Sequence, residues 1–301
     1  MTLEVLNVRK AFGSVQAVDG ISFRTEGGRI FGLLGPNGAG KSTTIRMIMN
    51  ILAADQGQIL FEGQPIRPQD KDRIGYLPEE RGLYKKMEVG DALVYFASLK
   101  NRSPADVQKD IDRWLERFEL GDWKRRKIEE LSKGMSQKLQ FIVAVLHDPE
   151  ILFLDEPFAG LDPVGTESLR EAVLELSRRG KAILLSTHIM DQAERMCSEI
   201  LIIDHGREVL SGTVESVKAR FGKNSVVIEF DGDPEVVRSS GMVSRLISYP
   251  RWVEAELAEG CSADGLLATL AGRLSIKRFE VMAPSLHKIF VRQVGPREGG
   301  A

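Results

Sequence analysis

Residues Gly35-Pro36-Asn37-Gly38-Ala39-Gly40-Lys41-Ser42-Thr43 follow the spacing G-x-x-x-x-G-K-[ST]. Glycines in such a loop let backbone N–H groups turn toward phosphate oxygens with no Cβ in the way. A helix starting there adds the positive end of its dipole. Lys41 would reach the β- and γ-phosphates, and Ser42 would ligate Mg²⁺. A glycine-rich turn can occur by chance, but here an apolar strand, Ile30–Leu34, precedes it and a helical stretch, 43–52, follows. A second chemical element is Ile151-Leu152-Phe153-Leu154-Asp155-Glu156-Pro157. It carries two acids to the C-terminal end of a buried strand, the edge where open α/β sheets bind ligands. Asp155 would hold Mg²⁺ through water, and Glu156 would polarise the attacking water as general base. Taken alone the pair also suits a strand ending in a solvated acidic turn; beside a phosphate loop the catalytic reading is the better one.

Between these elements lies Leu131-Ser132-Lys133-Gly134-Met135-Ser136-Gln137. A Ser and a Gly at a helix start offer a hydroxyl and backbone donors to an anion. The same residues also make an ordinary helix cap, and the two readings use the same N–H groups. The segment resembles the LSGGQ-type signature of ABC ATPases. Ala159-Gly160-Leu161-Asp162-Pro163 is similar to their D-loop, and Ser186-Thr187-His188 to their switch histidine. Motif order and spacing agree over residues 1 to about 222. Lys133 and Met135 depart from the commonest signature.

The resemblance implies an α/β P-loop core: a mostly parallel sheet flanked by helices, an N-terminal antiparallel β part and a helical insert. It implies ATP and Mg²⁺ as cofactors and a head-to-tail homodimer. In that dimer Ser132 and Gly134 serve the γ-phosphate bound by the other protomer. Asp162 bridges protomers near the opposing phosphate loop, and His188 contacts the γ-phosphate. Phe12 matches the position where the family stacks an aromatic on adenine; the alternative is a core Phe in a strand. In the segment RIGYLPEERGLYKKM, Glu79 stands where the family usually has the Gln of its Q-loop, a sensor of Mg²⁺ and of the attacking water. A carboxylate can accept from Mg²⁺-bound water or ligate the ion, but lacks the amide donor. Glu80 and Arg81 read as a solvated turn.

The elements that must position these groups are legible as texture. Apolar runs at 30–34, 151–154, 182–186 and 200–203, separated by helices, read as parallel strands covered on both faces. Residues 88–147 look mostly helical and read as the insert. After about residue 222 the character changes. Strand-like runs at 226–230, 243–248, 252–257 and 275–281 alternate with helical stretches at 234–240 and 262–273. That βαββαβ order matches a ferredoxin-like α+β unit over 223–301, with a last helix at 284–291. The ending Val281-Met282-Ala283-Pro284-Ser285-Leu286-His287-Lys288-Ile289-Phe290 resembles the PSLEDIF-like ending of drug- and sodium-export ATPases of the ABC-2 type, with His287-Lys288 in place of the usual acids.

Bulk properties narrow the job. The 301 residues suit two domains. A net charge of −2, from 41 basic and 43 acidic residues, gives no basic stripe, so nucleic acid is not expected. The cysteines, Cys197 and Cys261, make no disulfide framework, and a reducing compartment fits. The first residues alternate like a strand rather than a signal peptide. No apolar run approaches the roughly 18–20 residues that cross a bilayer. With one ATPase unit and no such run, the resemblance implies separate transmembrane subunits, with this chain cytoplasmic and peripheral on the inner face of the membrane. Leu83, Tyr84 and Met87 are candidates for a groove that takes a short helix of that partner, unless they pack inside the insert. The expected function is an ATPase subunit of an ABC transporter, an exporter rather than an importer. A soluble ABC ATPase that remodels a macromolecular complex is the alternative. His147, His205 and His287 read as structural or surface residues.

Overall fold

The computed structural model describes residues 1–80, 82–221 and 225–294. Arg81, residues 222–224 and residues 295–301, which include the polar tail, lie outside the described residues. The chain forms two compact units, Met1–Gly212 and from Thr213 onward.

The first unit begins with β1 (Thr2–Phe12), β2 (Val15–Glu26) and β3 (Ile30–Leu34). Then come α1 (Lys41–Ile48), β4 (Gln56–Phe61), β5 (Gln64–Pro65) and β6 (Ile74–Leu77). Three helices follow: α2 (Val89–Ser98), α3 (Pro104–Arg117) and α4 (Lys133–Val145). The core closes with β7 (Ile151–Asp155), α5 (Pro163–Arg178), β8 (Ala182–Thr187), α6 (Met190–Met196), β9 (Glu199–Asp204) and β10 (Arg207–Thr213).

A six-stranded sheet runs β10-β9-β3-β8-β7-β6. The pairs β9–β3, β3–β8, β8–β7 and β7–β6 are parallel. Every residue of β3, β7 and β8 is buried, as strands covered on both faces require. A four-stranded sheet, β2-β1-β4-β5, is antiparallel and shares its core with the first: Val5, Val18 and Ile21 pack with Phe31, Ile45 and Phe153. The insert is the helical run α2–α4 between β6 and β7. Its interior is an aromatic knot: the Trp114 and Phe118 rings stack at 5.9 Å, and both meet Phe141 edge-on.

The second unit comprises α7 (Val214–Arg220), β11 (Ser225–Asp231), α8 (Glu235–Arg238), β12 (Val243–Ser248), β13 (Trp252–Leu257), α9 (Ala263–Leu270), β14 (Ser275–Met282) and α10 (Leu286–Val294). Its sheet runs β12-β13-β11-β14, antiparallel throughout. That is the split βαβ order of a ferredoxin-like unit. Ser262 caps α9 through the Gly265 N–H at 3.1 Å. Sequence texture changes near residue 222, but the compact units divide at Gly212/Thr213. The reason is that α7 buries Val217 and packs with α10, so it belongs to the second unit.

His147, just after α4, is structural: its Nε2 donates to the Ile74 carbonyl of β6 at 3.0 Å. Burial, and then the charge of Lys100, pushes its pKa from 6.5 down to about 4. Below the unfolded value the unfolded chain binds the proton more readily than the native one. The stability that neutral His147 supplies is therefore complete above pH 6.5 and is lost as the pH falls toward about 4. Denaturant unfolding at pH 7.5 and pH 5 should show this loss for the wild type and a smaller one for His147→Gln; equal losses in both would refute it.

Candidate nucleotide site

The loop from β3 to α1 is shaped by glycines that no other residue could replace. Gly35 has φ +153, and a Cβ there would lie 2.2 Å from the Ile203 carbonyl oxygen. Gly40 has φ +106, and its Cβ would lie 2.4 Å from the Ala17 carbonyl oxygen. The loop thus lies tight against β9 and β2. No side chain caps α1, so its first N–H groups are free to meet an anion. Ala39 N–H donates to the Pro36 carbonyl at 3.2 Å and closes the turn. Asn37, Gly38, Gly40, Lys41, Ser42 and Thr43 line a cleft of about 280 Å³, together with Glu79, Glu156 and the Ala17 backbone region.

Three strands deliver the charged groups. Lys41 is buried and its Nζ donates to the carbonyls of Gly35 at 2.8 Å and Pro36 at 3.1 Å. It also stands 3.5 Å from Glu156 Oε1. The same oxygen meets His188 Nδ1 at 2.9 Å. Glu156 is itself buried and sits at φ 47, a left-handed conformation that a non-glycine residue adopts only when its surroundings impose it. The imposing contacts are on β8: Glu156 N–H reaches the Ser186 carbonyl at 3.1 Å and the Ser186 hydroxyl at 3.2 Å. Ser186 also donates to Asp155 Oδ1. The parallel register sets Asp155 directly opposite Ser186.

Asp155 is 1% exposed. Burial pushes its pKa up, while hydrogen bonds from Ser186 and Ser42 pull it down and Glu156 adds to the rise. Ser42 Oγ also lies 3.5 Å from Glu79 Oε2, so this hydroxyl stands between two carboxylates. A divalent cation there would offset the desolvation of Asp155. Among the described residues no group of three or more His, Cys, Asp or Glu side chains could hold a metal by itself. One or two carboxylates, a hydroxyl and phosphate oxygens are the donor set that suits Mg²⁺, which keeps waters and dislikes all-protein cages.

The remaining sequence candidates fall outside the lining of this cleft. Phe12, at the end of β1, is 49% exposed and not a core residue; Lys10 Nζ lies 5.7 Å from its ring centre. Ser132 caps α4 through the Met135 N–H at 3.2 Å. Asp162 caps α5 through the Gly165 N–H at 2.6 Å. The two helix starts are neighbours: a Cβ on Gly134 would lie 3.4 Å from the Gly160 carbonyl oxygen. Ser132 and Asp162 are both exposed. Sequence reading did not foresee what Ser186 does. Nothing in the chain marks it, because its role comes from strand register. Gln137 gives no local signal of its role either: it is buried and its Nε2 donates to the Pro157 carbonyl at 3.0 Å, tying the signature helix to the acidic strand end.

Comparison with known proteins agrees with this geometry. Residues 18–159 match the family model for ABC transporters, and residues 212–294 match the model for the C-terminal domain of DrrA1-3-like ATP-binding proteins. The chain is 44% identical over 97% of its length, and 98% of the relative's, to the ABC transporter ATP-binding protein YhaQ of Bacillus subtilis (strain 168). It is 32% identical to the Nod factor export ATP-binding protein I of Rhizobium sp. (strain N33), over 98% of this chain and 97% of that one. A solved structure of an ATP-binding subunit of an ABC transporter superposes with a TM-score of 0.70 at 32% identity, over 74% of this chain and 94% of that one. A phosphate loop, a buried acidic strand end and near full-length kinship point the same way: this chain belongs to the ATP-binding ATPase subunits of ABC transporters and carries a DrrA-like C-terminal domain.

Proposed function

We propose that the chain drives export through separate membrane subunits, using Mg²⁺ and ATP in a head-to-tail pair with a second copy of itself. One observation carries the reading: the site is divided. Lys41 and Glu156 line one cleft and His188 joins them through the Glu156 carboxylate, while two capped helix starts, at Ser132 and Asp162, are exposed and belong neither to that lining nor to that contact. At α4 the Ser132 hydroxyl accepts the Met135 N–H and keeps its own proton, which with the remaining first-turn N–H groups can meet an anion held by another molecule. The relative from Rhizobium is named for export, and the DrrA-like C-terminal match covers residues 212–294.

In this reading the backbone from Gly35 to Thr43 cradles the phosphates, and Lys41 exchanges the Gly35 and Pro36 carbonyls for phosphate oxygens. Phe12 stacks on the adenine, its exposed ring at the end of β1 free to do so. Ser42, Asp155 and Glu79 would hold Mg²⁺, which would supply charge neutralisation to the phosphates. Glu156 takes a proton from water as its oxygen attacks the γ-phosphorus, and ADP leaves. His188 fixes the Glu156 carboxylate through the 2.9 Å contact and stands ready for the γ-phosphate. Ser132, Gly134 and Asp162 act across the pair. The membrane subunit docks beyond Glu79. There Tyr84 is 54% exposed, stacks with Phe96 at 6.0 Å and meets Tyr95 edge-on at 5.8 Å; Leu99 is also exposed, and Leu83 and Met87 are half-buried. Exposed aromatic clusters of this kind are typical of binding hot spots. No helix among the described residues is long and apolar enough to cross a membrane, and attachment to the inner face of the membrane through that partner is part of the proposal.

Glu156→Gln should lower kcat by about 10²–10⁴-fold, the usual worth of a general base, and should shift the chain to a dimer in ATP on size exclusion. A variant that binds ATP but stays monomeric would overturn the divided-site reading. Replacing Glu79 with Gln removes one charge from the Mg²⁺ site, so the Mg²⁺ concentration for half-maximal ATPase should rise up to about fivefold, about 1 kcal/mol; an unchanged Mg²⁺ titration removes Glu79 from the metal site. Tyr84→Ala combined with Tyr95→Ala should leave the ATPase of the isolated chain within about twofold, while co-purification with the membrane subunit is lost. Retained co-purification would place the docking surface elsewhere.

A further inference from the structure

The second unit holds a cavity that ATP hydrolysis does not use. Its sheet has two faces. Val226, Ile228, Val253 and Ala255 point to one face and form a core with Leu266 and Leu270. The other face carries Glu254 and Glu256 of β13 and Arg245 of β12, and α10 lies across part of it. Two things fix α10 there. Leu286 and Ile289 are fully buried, and Lys288 Nζ is paired with Glu254 Oε1 and lies 4.0 Å from Glu256 Oε1. Beside the helix remains a cavity of about 350 Å³. Its walls include Phe221, Ile247, Leu257 and Val291. Tyr249 forms a flat side: its ring is held by stacking on Trp252 at 3.8 Å and 14°.

Charge decides what such a cavity would accept. Both carboxylates in its lining, Glu254 and Glu256, are engaged by Lys288. Arg245 and Arg292 also line it, and neither has an ion-pair partner among the described residues. Arg245 stands across from Glu256 on the neighbouring strand, yet that carboxylate is within reach of Lys288 rather than the guanidinium. His287 adds a further ring nitrogen at the edge. An apolar, flat-walled space with guanidinium groups left over matches the pattern of small-molecule sites, which are mostly apolar with a few polar groups that fix orientation. Guanidinium forks favour planar oxyanions.

We propose that this cavity binds a small aromatic organic anion, with its ring against Tyr249 and its acidic group between Arg245 and Arg292. The site lies wholly within the second unit and owes nothing to the nucleotide cleft.

The test uses the full chain and two probes, 8-anilinonaphthalene-1-sulfonate followed by its fluorescence and salicylate as competitor. The sulfonate should bind saturably and be displaced by salicylate. Saturating Mg²⁺ and ATP should leave the signal unchanged. Arg245→Ala with Arg292→Ala should weaken binding by about tenfold or more, the worth of a charge-assisted hydrogen bond. If that double variant unfolds early, Arg292→Gln alone, at an exposed position of α10, should still weaken binding several-fold. Non-saturable fluorescence, displacement by ATP, or equal affinity in the arginine variants each overturns the proposal.

Discussion

Two ionisable carboxylates buried at the end of one strand are the constraint around which the first unit is organised. Removing a carboxylate from water costs several kcal/mol unless partners replace the lost hydration. Asp155 and Glu156 are both buried, and each partner arrives on a different element. Ser186 comes from β8, Lys41 and Ser42 from the start of α1, and His188 from just beyond β8. A hydrogen bond to a charged group returns about 1.5–3 kcal/mol, so no single contact suffices. The parallel order β3-β8-β7 is what brings all of them to one edge. The left-handed backbone at Glu156 follows from the same need: its N–H turns back to Ser186 while its side chain turns toward Lys41.

Only part of the candidate set gathers at these acids. Positive groups surround the acids on the side of the phosphate loop. The capped starts of α4 and α5 stand together elsewhere, with Gly134 against the loop that carries Gly160. Gln137 joins α4 to the acidic strand end by holding the Pro157 carbonyl just after the acids. A displacement of the acidic strand end would therefore reach the signature helix through one buried hydrogen bond. A second connection runs from Arg46 of α1, which stands 3.8 Å from Glu80. It ties the helix that begins the phosphate site to the segment leading to the exposed aromatics at Tyr84 and Tyr95.

The second unit is built on a different economy. Its sheet buries one face under α8 and α9 and leaves the other amphipathic. Covering that face needed a helix that could satisfy carboxylates as well as bury apolar surface. The sequence of α10 supplies both in Leu286, Lys288 and Ile289. The replacement of acids by His287-Lys288 in the ending thus has a structural sense: a cation at 288 is what Glu254 and Glu256 require.

The sequence by itself determined the elements and the chemistry. Local spacing encodes a phosphate loop, because the loop is built by consecutive residues, and apolar runs encode buried strands, because burial is a property of each residue in turn. The βαββαβ order of the second unit was legible for the same reason. What only the tertiary structure decided were contacts made across strands and between distant segments. Ser186 acts on Asp155 through register, Gln137 on Pro157 through packing, and Lys288 on Glu254 through the placement of α10; none of these pairs is near in sequence. The position of Phe12 was open between core and surface until the end of β1 placed its ring in solvent. The unit boundary moved from 222 to 212 because a helix joins whichever core buries its apolar residue, and Val217 of α7 is buried where α7 packs with α10. Local physics names the groups, and long-range pairing decides which of them meet.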